Sequence, residues 1–182
     1  MTMRMNILPK QEFLLECFDY NEITGTLTWR VRPIHHFRGS ARYQKAWNTR
    51  WSGKVAGAID SKGYYVILLD GKMCRSHRLI WKIMTGEDSK LEIDHIDNNP
   101  KNNAWGNLRE ANRNQNNHNV RKHKDNSTGY KGVYLNKNGK YYSRICVDRK
   151  SYHLGYFTDP EMAYRAYCEA SERLHKEFSN LG

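Results

Sequence analysis

Asp94 and His95 are neighbours in a short apolar segment, LEIDHID (91–97), and their side chains are suited to metal-assisted hydrolysis. A carboxylate is a good ligand for a hard cation such as Mg²⁺ or Mn²⁺. A histidine titrates near neutrality and can take a proton from water. A polarising cation and a base are the two parts that phosphodiester hydrolysis requires. An Asp-His pair alone is more often a hydrogen-bonded structural pair, so the surrounding sequence must decide.

The elements around this pair can be predicted from composition and periodicity. Residues 77–86 (HRLIWKIMTG) predict a helix that ends at Gly86. Residues 91–97 predict a strand, on which neighbouring side chains point to opposite sides. A twist or a strand end must therefore bring Asp94 and His95 to one site. A loop at 98–103, a second short strand at 107–110 and a polar helix at 111–124 follow; such a helix needs a bound metal or partner surface.

The N-terminal part, residues 1–76, predicts a helix at 9–20 and then mainly strands. Asp70-Gly71 is a strong signal for a hairpin turn. Between the strands, residues 33–53 are basic, aromatic and irregular, and they predict a long loop. Arg38 and Arg42 in this loop are candidates for contact with DNA, and the alternative is a mobile loop with no role.

Residues 125–182 form a separate predicted module, with a linker at 125–129. Three short strands follow, the first two joined by an Asn138-Gly139 turn. A helix then begins at Thr158 or Asp159. One stripe of this helix is apolar and is predicted to pack on the sheet. The stripe consists of Ala163, Ala166, Tyr167, Ala170, Leu174 and Phe178.

Strand alternation assigns the two faces of the predicted sheet. One face should pack on the helix, and the other should be polar, basic and aromatic, which suits a DNA groove. The alternative is an ordinary solvated face. The inward residues are Val133, Leu135, Tyr141, Ile145, Val147, Tyr152 and Leu154; the outward ones are Tyr134, Asn136, Tyr142, Arg144, Ser151 and His153.

The charge distribution supports a polyanionic partner. The chain carries 30 Lys and Arg against 19 Asp and Glu, a net charge of +11. Residues 119–150 hold nine basic and two acidic residues, whereas residues 159–182 hold three and five. This segregation favours nucleic acid over a membrane surface, because no basic amphipathic helix stands out.

The sequence also limits location and cysteine chemistry. It contains no apolar run long enough to span a membrane and no signal core at its start, so an intracellular protein is expected. The four cysteines have no C-x-x-C spacing, which makes a zinc ribbon a poor fit. Four reduced, partly buried thiols are expected.

Residues 77–119 strongly resemble the HNH endonuclease family, in the version common in phage and intron-encoded homing enzymes. The resemblance rests on D-H-I-D-x-x-x-x-N-N, then N-L-R and an Asn-rich helix. YNEITGTLTW (20–29) and the stretch at 56–81 are also similar to that family. The resemblance implies a ββα-metal motif at 77–124, in which two strands and a helix hold one divalent cation, Mg²⁺ or Mn²⁺.

The resemblance also implies a role for each signature residue. Asp94 would be a metal ligand and His95 the general base. Asn107 falls where the family's middle asparagine orients the catalytic loop. Asn116 would be the second metal ligand, and His118, two residues further on, is the alternative.

Residues 127–178 resemble the Apetala-type (ethylene-response-factor) DNA-binding domain, through STGYKGVYLNKNGKYYSRICV, HLGYF and the helix with AYRAY. Members of that family lay a three-stranded sheet in the major groove. The sequence departs from the plant pattern of arginines and a tryptophan, so the target site does not carry over. The implied contacts, with Tyr142 added from the outward face, are Lys131, Tyr134, Asn136, Lys140, Tyr142, Arg144 and His153.

These observations predict an α+β protein: N-terminal strands, an HNH ββα-metal nuclease domain, and a small three-stranded antiparallel sheet plus helix. The predicted function is a metal-dependent endonuclease acting on double-stranded DNA, of phage or mobile-element origin, working as a monomer or homodimer. A DNA-binding regulator with an inactive nuclease domain is one alternative, and a packaging nuclease cofactor acting on branched DNA is another. RNA is a less favoured substrate, and nicking and double-strand cleavage both stay open.

Overall fold

The computed structural model of the chain describes residues 7–182; residues 1–6, part of the N-terminal stretch considered above, lie outside the described residues. The contacts divide the chain into two units, Met1–Glu110 and Ala111–Gly182. Both units combine helices with small antiparallel sheets, so the predicted α+β class is confirmed. No helix within the described part of the chain is long and apolar enough to cross a membrane.

The first unit is built on one apolar core to which the helices and sheets all contribute. β1 pairs with β2, β3–β4–β5 form an antiparallel sheet, and β6 pairs with β7. In chain order the elements are α1 (Gln11–Cys17), β1 (Phe18–Asn21), β2 (Thr26–Trp29), a 3-10 helix (Ile34–Phe37), α2 (Ala41–Trp51), β3 (Ala58–Ile59), β4 (Tyr65–Leu69), β5 (Lys72–Arg75), α3 (Ser76–Thr85), β6 (Glu92–His95), a 3-10 helix (Trp105–Asn107) and β7 (Leu108–Ala111).

The short-range signals of the first unit are confirmed. Asp70 and Gly71 both have positive φ, 47° and 79°, and they join β4 to β5 as an Asp-Gly hairpin turn does. α3 ends at Gly86, which is left-handed with φ 82°. The predicted helix at 9–20 is shorter, because the chain turns into β1 at Phe18 and pairs with β2 there.

The prediction of a long irregular loop at residues 33–53 is wrong. The segment contains a 3-10 helix and α2, an 11-residue helix capped by the Ser40 hydroxyl, which accepts from the Tyr43 N–H. The inner side of α2 is largely polar: Gln44 and Asn48 hydrogen-bond to the backbone of Arg32. Trp47 is the one α2 side chain that packs on the apolar core, so the helix shows little apolar periodicity and the sequence pattern did not reveal it.

The second unit is a three-stranded antiparallel sheet, in the order β10–β9–β8, covered by one long helix. Asn138-Gly139 lies in the turn between the first two strands, as predicted, and Asp159 caps the long helix by accepting from the Glu161 N–H. In chain order the elements are α4 (Arg113–His118), β8 (Val133–Leu135), β9 (Tyr141–Val147), β10 (Lys150–Phe157), α5 (Pro160–His175) and a 3-10 helix (Lys176–Phe178).

The predicted packing between this sheet and α5 is correct at its centre and wrong at its edges. Val133, Ile145 and Tyr167 are buried. Leu135 and Tyr152 were predicted to face the helix, but they are 53% and 48% exposed, because they lie toward strand ends that α5 does not cover. On α5 itself, Ser171 and His175 are buried, whereas Leu174, which belongs to the predicted stripe, is exposed.

The structure divides the chain earlier than composition indicated. The boundary between the two units falls between Glu110 and Ala111 rather than near 125–129. α3 was predicted to open the nuclease domain at residue 77, but it shares the core of the N-terminal strands. α4 belongs to the second unit because Asn114 Nδ2 donates to Asp148 Oδ1 at 3.2 Å. It is also much shorter than the predicted helix at 111–124.

The four cysteines are free thiols, as expected, but one is not buried. Cys17 and Cys74 are buried, Cys168 is half-buried and Cys146 is exposed. Burial raises the pKa of Cys17 to about 12, so this thiol is inert as a nucleophile.

Candidate active site

Asp94 and His95 lie at the end of β6, and both are buried, with 6% and 5% exposure. β6 pairs with β7 in a two-stranded sheet, and the Ile96 N–H donates to the Asn107 carbonyl at 2.9 Å just beyond the end of β6. The strand end therefore gives the acid and the imidazole a fixed backbone, and the approach of both side chains to one site stays a prediction.

The ring of His95 contacts the side chain of Asn103 and two aromatic neighbours. Its Nε2 lies 3.0 Å from Oδ1 of Asn103, a residue that is only 1% exposed. The rings of His77 and Tyr64 lie 5.1 and 6.0 Å from it, between centroids, and His77 is almost perpendicular. The sequence predicted His95 as a candidate base but did not single out Asn103 or Tyr64.

His77, at the start of α3, forms one wall of the His95 site and is neutral there. Burial lowers its pKa to about 3, and the charges of His95, Arg75 and Arg78 add to the effect. A buried ring that stays unprotonated fits a role in packing.

His77 should make the stability of the protein depend on pH. Its folded pKa is depressed, so below the unfolded value near 6.5 the unfolded chain binds a proton that the folded chain does not, and stability falls with pH. We expect the unfolding free energy of wild type, relative to His77→Leu, to drop by about 2 kcal/mol between pH 7.5 and pH 5. Urea unfolding at both pH values measures it; a constant difference would contradict a neutral His77.

Asp94 makes an ion pair with Arg109 that the sequence did not predict, and one carboxylate oxygen accepts from two guanidinium nitrogens. Both Nε and Nη2 of Arg109, on β7, lie 2.9 Å from its Oδ2. The two side chains are mostly buried, and such a pair holds the carboxylate in one orientation. The only sequence signal was that Arg109 belongs to the N-L-R stretch on the strand that pairs with β6.

Asn107 ties together the loop that follows β6. Its Nδ2 donates to Asp97 Oδ1 and to the Asn102 carbonyl, at 2.9 and 2.7 Å, and its Oδ1 accepts from the Asp97 N–H. Burial raises the pKa of Asp97, but the hydrogen bonds that it accepts outweigh burial and hold the pKa below its usual value. The contacts fit a loop-orienting role for Asn107.

The two candidates for the second metal ligand lie on α4, in the second unit. α4 begins with a capping box between Asn112 and Gln115. The ring of His118 is stacked face to face on His175, with centroids 3.8 Å apart. Asn116 lies on the same helix, and its pairing with Asp94 around a cation stays a prediction.

The outward face of the second unit's sheet is aromatic and basic. Tyr134, Tyr142 and Tyr156 lie side by side on the three strands, and the Arg144 guanidinium lies over the Tyr134 ring at 4.5 Å. His153 contacts the Tyr156 ring, with centroids 4.6 Å apart. Tyr156 joins this face because a β-bulge at Leu154 reverses the alternation after His153, so strict period-two counting missed it.

Of three other predicted DNA contacts, two have side chains with structural roles and one is exposed. Lys131 Nζ donates to the carbonyls of His118, Val120 and Asn180, and burial lowers its pKa to about 8. Its ammonium group therefore forms hydrogen bonds within the second unit. Asn136 Oδ1 accepts from two backbone N–H groups of the hairpin turn, one of them that of Lys140. The Lys140 side chain is exposed.

In the first unit, Arg38 and Arg42 are both exposed. Arg38 lies just before α2, and Arg42 lies at the start of α2. No acidic residue occurs between Glu22 and Asp60. The segment therefore presents positive charge without local compensation, although on a helix rather than on the predicted loop.

Glu16, His35 and His36 are the one group of His, Cys and acidic side chains close enough to share a metal among residues 7–182. Glu16 Oε2 lies 2.9 Å from His35 Nε2 and 2.7 Å from His36 Nε2. His36 Nδ1, however, accepts from Arg32 Nε at 3.0 Å, so Nε2 carries the proton and donates to Glu16. A cation could bind His36 Nε2 only if this nitrogen carried no proton. The group therefore fits a hydrogen-bonded cluster better than a metal site.

Comparison with known proteins relates part of the chain to a nuclease family. Over 67 residues the chain is 40% identical to Protein 3.8 of Escherichia phage T7, a match that covers 36% of this chain and 55% of that protein. The chain is also similar to a solved structure described as DNA binding and cleavage by the HNH homing endonuclease I-HmuI. That similarity has 20% identity, a TM-score of 0.35, and covers 84% of this chain and 75% of the other. A model of the HNH endonuclease family matches residues 74–118, and this segment includes Asp94, His95 and Asn107.

Proposed function

We propose that the protein is a metal-dependent endonuclease of the homing type that hydrolyses phosphodiester bonds in duplex DNA. The observation that carries the proposal is the burial of Asp94 and His95 at the end of β6, inside the segment that matches the HNH endonuclease family. The chain's net charge of +11 supports a polyanionic substrate. The similarity to a T7 protein agrees with a phage origin.

Asp94 and Asn116 are the proposed ligands of one Mg²⁺ or Mn²⁺ ion. A carboxylate and a carboxamide oxygen are hard donors, which fit these cations. Asn116 is preferred to His118 because the His118 ring is stacked on His175. Bound there, the cation would polarise the phosphate and stabilise the leaving oxygen.

His95 is the proposed general base. A water oxygen attacks phosphorus, the proton of that water goes to the His95 ring, and the bond from phosphorus to the leaving oxygen breaks. Asn107 keeps the loop after β6 in place through its three hydrogen bonds, and Arg109 fixes the orientation of Asp94.

Two surfaces are proposed to bind DNA. The outward sheet face offers guanidinium, aromatic and amide groups, which suit phosphates, sugars and base edges. The segment around α2 offers exposed Arg38 and Arg42. The proposed contacts on the sheet, to which the structure adds Tyr156, are Tyr134, Asn136, Lys140, Tyr142, Arg144 and His153.

A plasmid assay tests the proposal. Supercoiled DNA with random inserts is incubated with the full chain, with Mg²⁺, with Mn²⁺, or with a chelator. We expect metal-dependent conversion to open-circular or linear DNA, and the product shows whether one strand or both are cut. Tight DNA binding without conversion under any condition would refute the nuclease.

Tight DNA binding without cleavage would favour a DNA-binding regulator with an inactive nuclease domain. One observation supports this alternative: Oδ2 of Asp94 is already paired with Arg109. A carboxylate neutralised by a guanidinium is a weaker ligand for a cation.

Arg144→Ala should weaken DNA binding by about tenfold, because a guanidinium at a base edge or phosphate contributes on the order of 1–3 kcal/mol. Removal of one phosphate contact should also lower the slope of log affinity against log salt by about one. Fluorescence anisotropy over a salt series measures both. Arg165→Ala removes the same charge from α5, on the opposite side of the sheet, and serves as the control; equal loss in both variants would contradict a specific sheet face.

A further inference from the structure

Asn103 makes a buried polar contact with the ring of His95. Its Oδ1 lies 3.0 Å from His95 Nε2, and the two residues are 1% and 5% exposed. At this degree of burial the hydrogen bond restricts the orientation of the His95 ring, because breaking it leaves a buried polar atom without that partner.

The chemistry of the two groups fixes the direction of this bond. An amide oxygen only accepts, so His95 Nε2 must carry the hydrogen. A neutral imidazole with its hydrogen on Nε2 has its lone pair on Nδ1. The hydrogen bond to Asn103 therefore selects which of the two ring nitrogens is basic.

We propose that Asn103 is a positioning residue for the nuclease reaction: it holds His95 as the Nε2–H tautomer, with Nδ1 as the nitrogen that takes the proton from water. The inference rests on the proposed function for its catalytic meaning. The neighbouring rings of His77 and Tyr64 restrict rotation of the His95 ring, and a ring turned by half would lose the contact with Asn103.

The β1–β2 hairpin holds Asn103 in place through the backbone. The Tyr20 hydroxyl donates to the Asn103 carbonyl at 2.8 Å, and the Trp105 N–H donates to the Glu22 carbonyl at 3.0 Å. At the hairpin turn, Gly25 comes so close that an added Cβ would lie 2.2 Å from the Asn103 carbonyl carbon. The hairpin thus braces the segment that carries Asn103, which assigns the YNEITG stretch a role in the site.

The tautomer can be measured without any cleavage assay. In the full chain labelled with ¹⁵N-histidine, two-bond proton–nitrogen correlations distinguish a protonated ring nitrogen from a bare one. The His95 signals are identified by their loss in His95→Gln. At a pH where the ring is neutral, we expect Nε2 to be protonated in wild type and Nδ1 to be bare.

Substitutions at Asn103 then test whether this residue determines the tautomer of His95. Asn103→Leu keeps the branched shape of the side chain but has no acceptor, so we expect a mixture of both His95 tautomers. Asn103→Asp keeps an acceptor and should keep the Nε2–H tautomer. Tyr20→Phe leaves the Asn103 side chain intact and is the milder variant if the first two fail to fold; it should broaden or shift the His95 signals without removing the tautomer. A wild-type Nδ1–H tautomer, or an unchanged tautomer in Asn103→Leu, would overturn the proposal.

Kinetics separate this inference from the proposed function. If the wild type cleaves DNA, Asn103→Leu should lower single-turnover kcat by about 10²-fold, a part of what a general base contributes, with little change in DNA affinity. A wild-type rate in Asn103→Leu would refute the positioning role while leaving the nuclease intact. An inactive wild type with the expected tautomer would refute the nuclease and confirm the hydrogen bond.

Discussion

His95→Ala should abolish most DNA cleavage while leaving DNA binding intact. The ring is the proposed base, and general base catalysis contributes about 10²–10⁴-fold, so the single-turnover rate should fall by that factor. DNA affinity should stay within about twofold, because His95 is buried and the proposed DNA contacts lie elsewhere. Rapid-quench cleavage of a labelled duplex, with anisotropy for binding, measures both quantities.

His35→Ala is the matched control for that experiment. It removes an imidazole of the same unit from an exposed position, 64% accessible, in the Glu16 cluster. Unchanged cleavage in His35→Ala would show that neither loss of a histidine nor that cluster accounts for the effect. If His95→Ala cleaves at the wild-type rate, His95 is not the base.

The parts of the fold that short-range signals govern were predictable. The Asp70-Gly71 turn, the Gly86 helix end and the Asp159 cap each depend on one or two residues whose backbone or side-chain preference is local. α2 was not predictable from periodicity, because Gln44 and Asn48 contact Arg32 by hydrogen bonds and Trp47 alone packs on the apolar core.

In the candidate site, too, local signals could be predicted and long-range contacts could not. Asp94 and His95 could be singled out by their chemistry and their place in an apolar segment. Asn103 is the last residue of the D-H-I-D-x-x-x-x-N-N signature, but its contact with His95 could not be inferred. It sits in NNPKNN, where composition indicates an exposed loop, and it is held by Tyr20, 83 residues earlier in the chain. Arg109 was missed for a related reason: its pairing with Asp94 requires the strand partner of β6 to be known.

Gly25→Ala should be among the most damaging single substitutions in the chain. Gly25 has φ +70°, and an added Cβ would lie 2.2 Å from the Asn103 carbonyl carbon and 2.3 Å from the Ala104 nitrogen. These are backbone atoms, so no side-chain rotation relieves the clash, and the hairpin must move away from the loop. We expect the unfolding free energy, measured with urea, to fall by about 2–4 kcal/mol.

Gly53→Ala separates backbone strain from the clash. Gly53 has a similar φ of +77°, but nothing lies within 4 Å of an added Cβ. This variant should lose only the cost of an alanine in the left-handed region, about 1–2 kcal/mol. Cleavage by the folded fraction supplies the functional comparison: it should fall in Gly25→Ala, where Asn103 is displaced from His95, and stay at the wild-type rate in Gly53→Ala. Equal stabilities and equal rates in the two variants would mean that the hairpin does not brace the segment that carries Asn103.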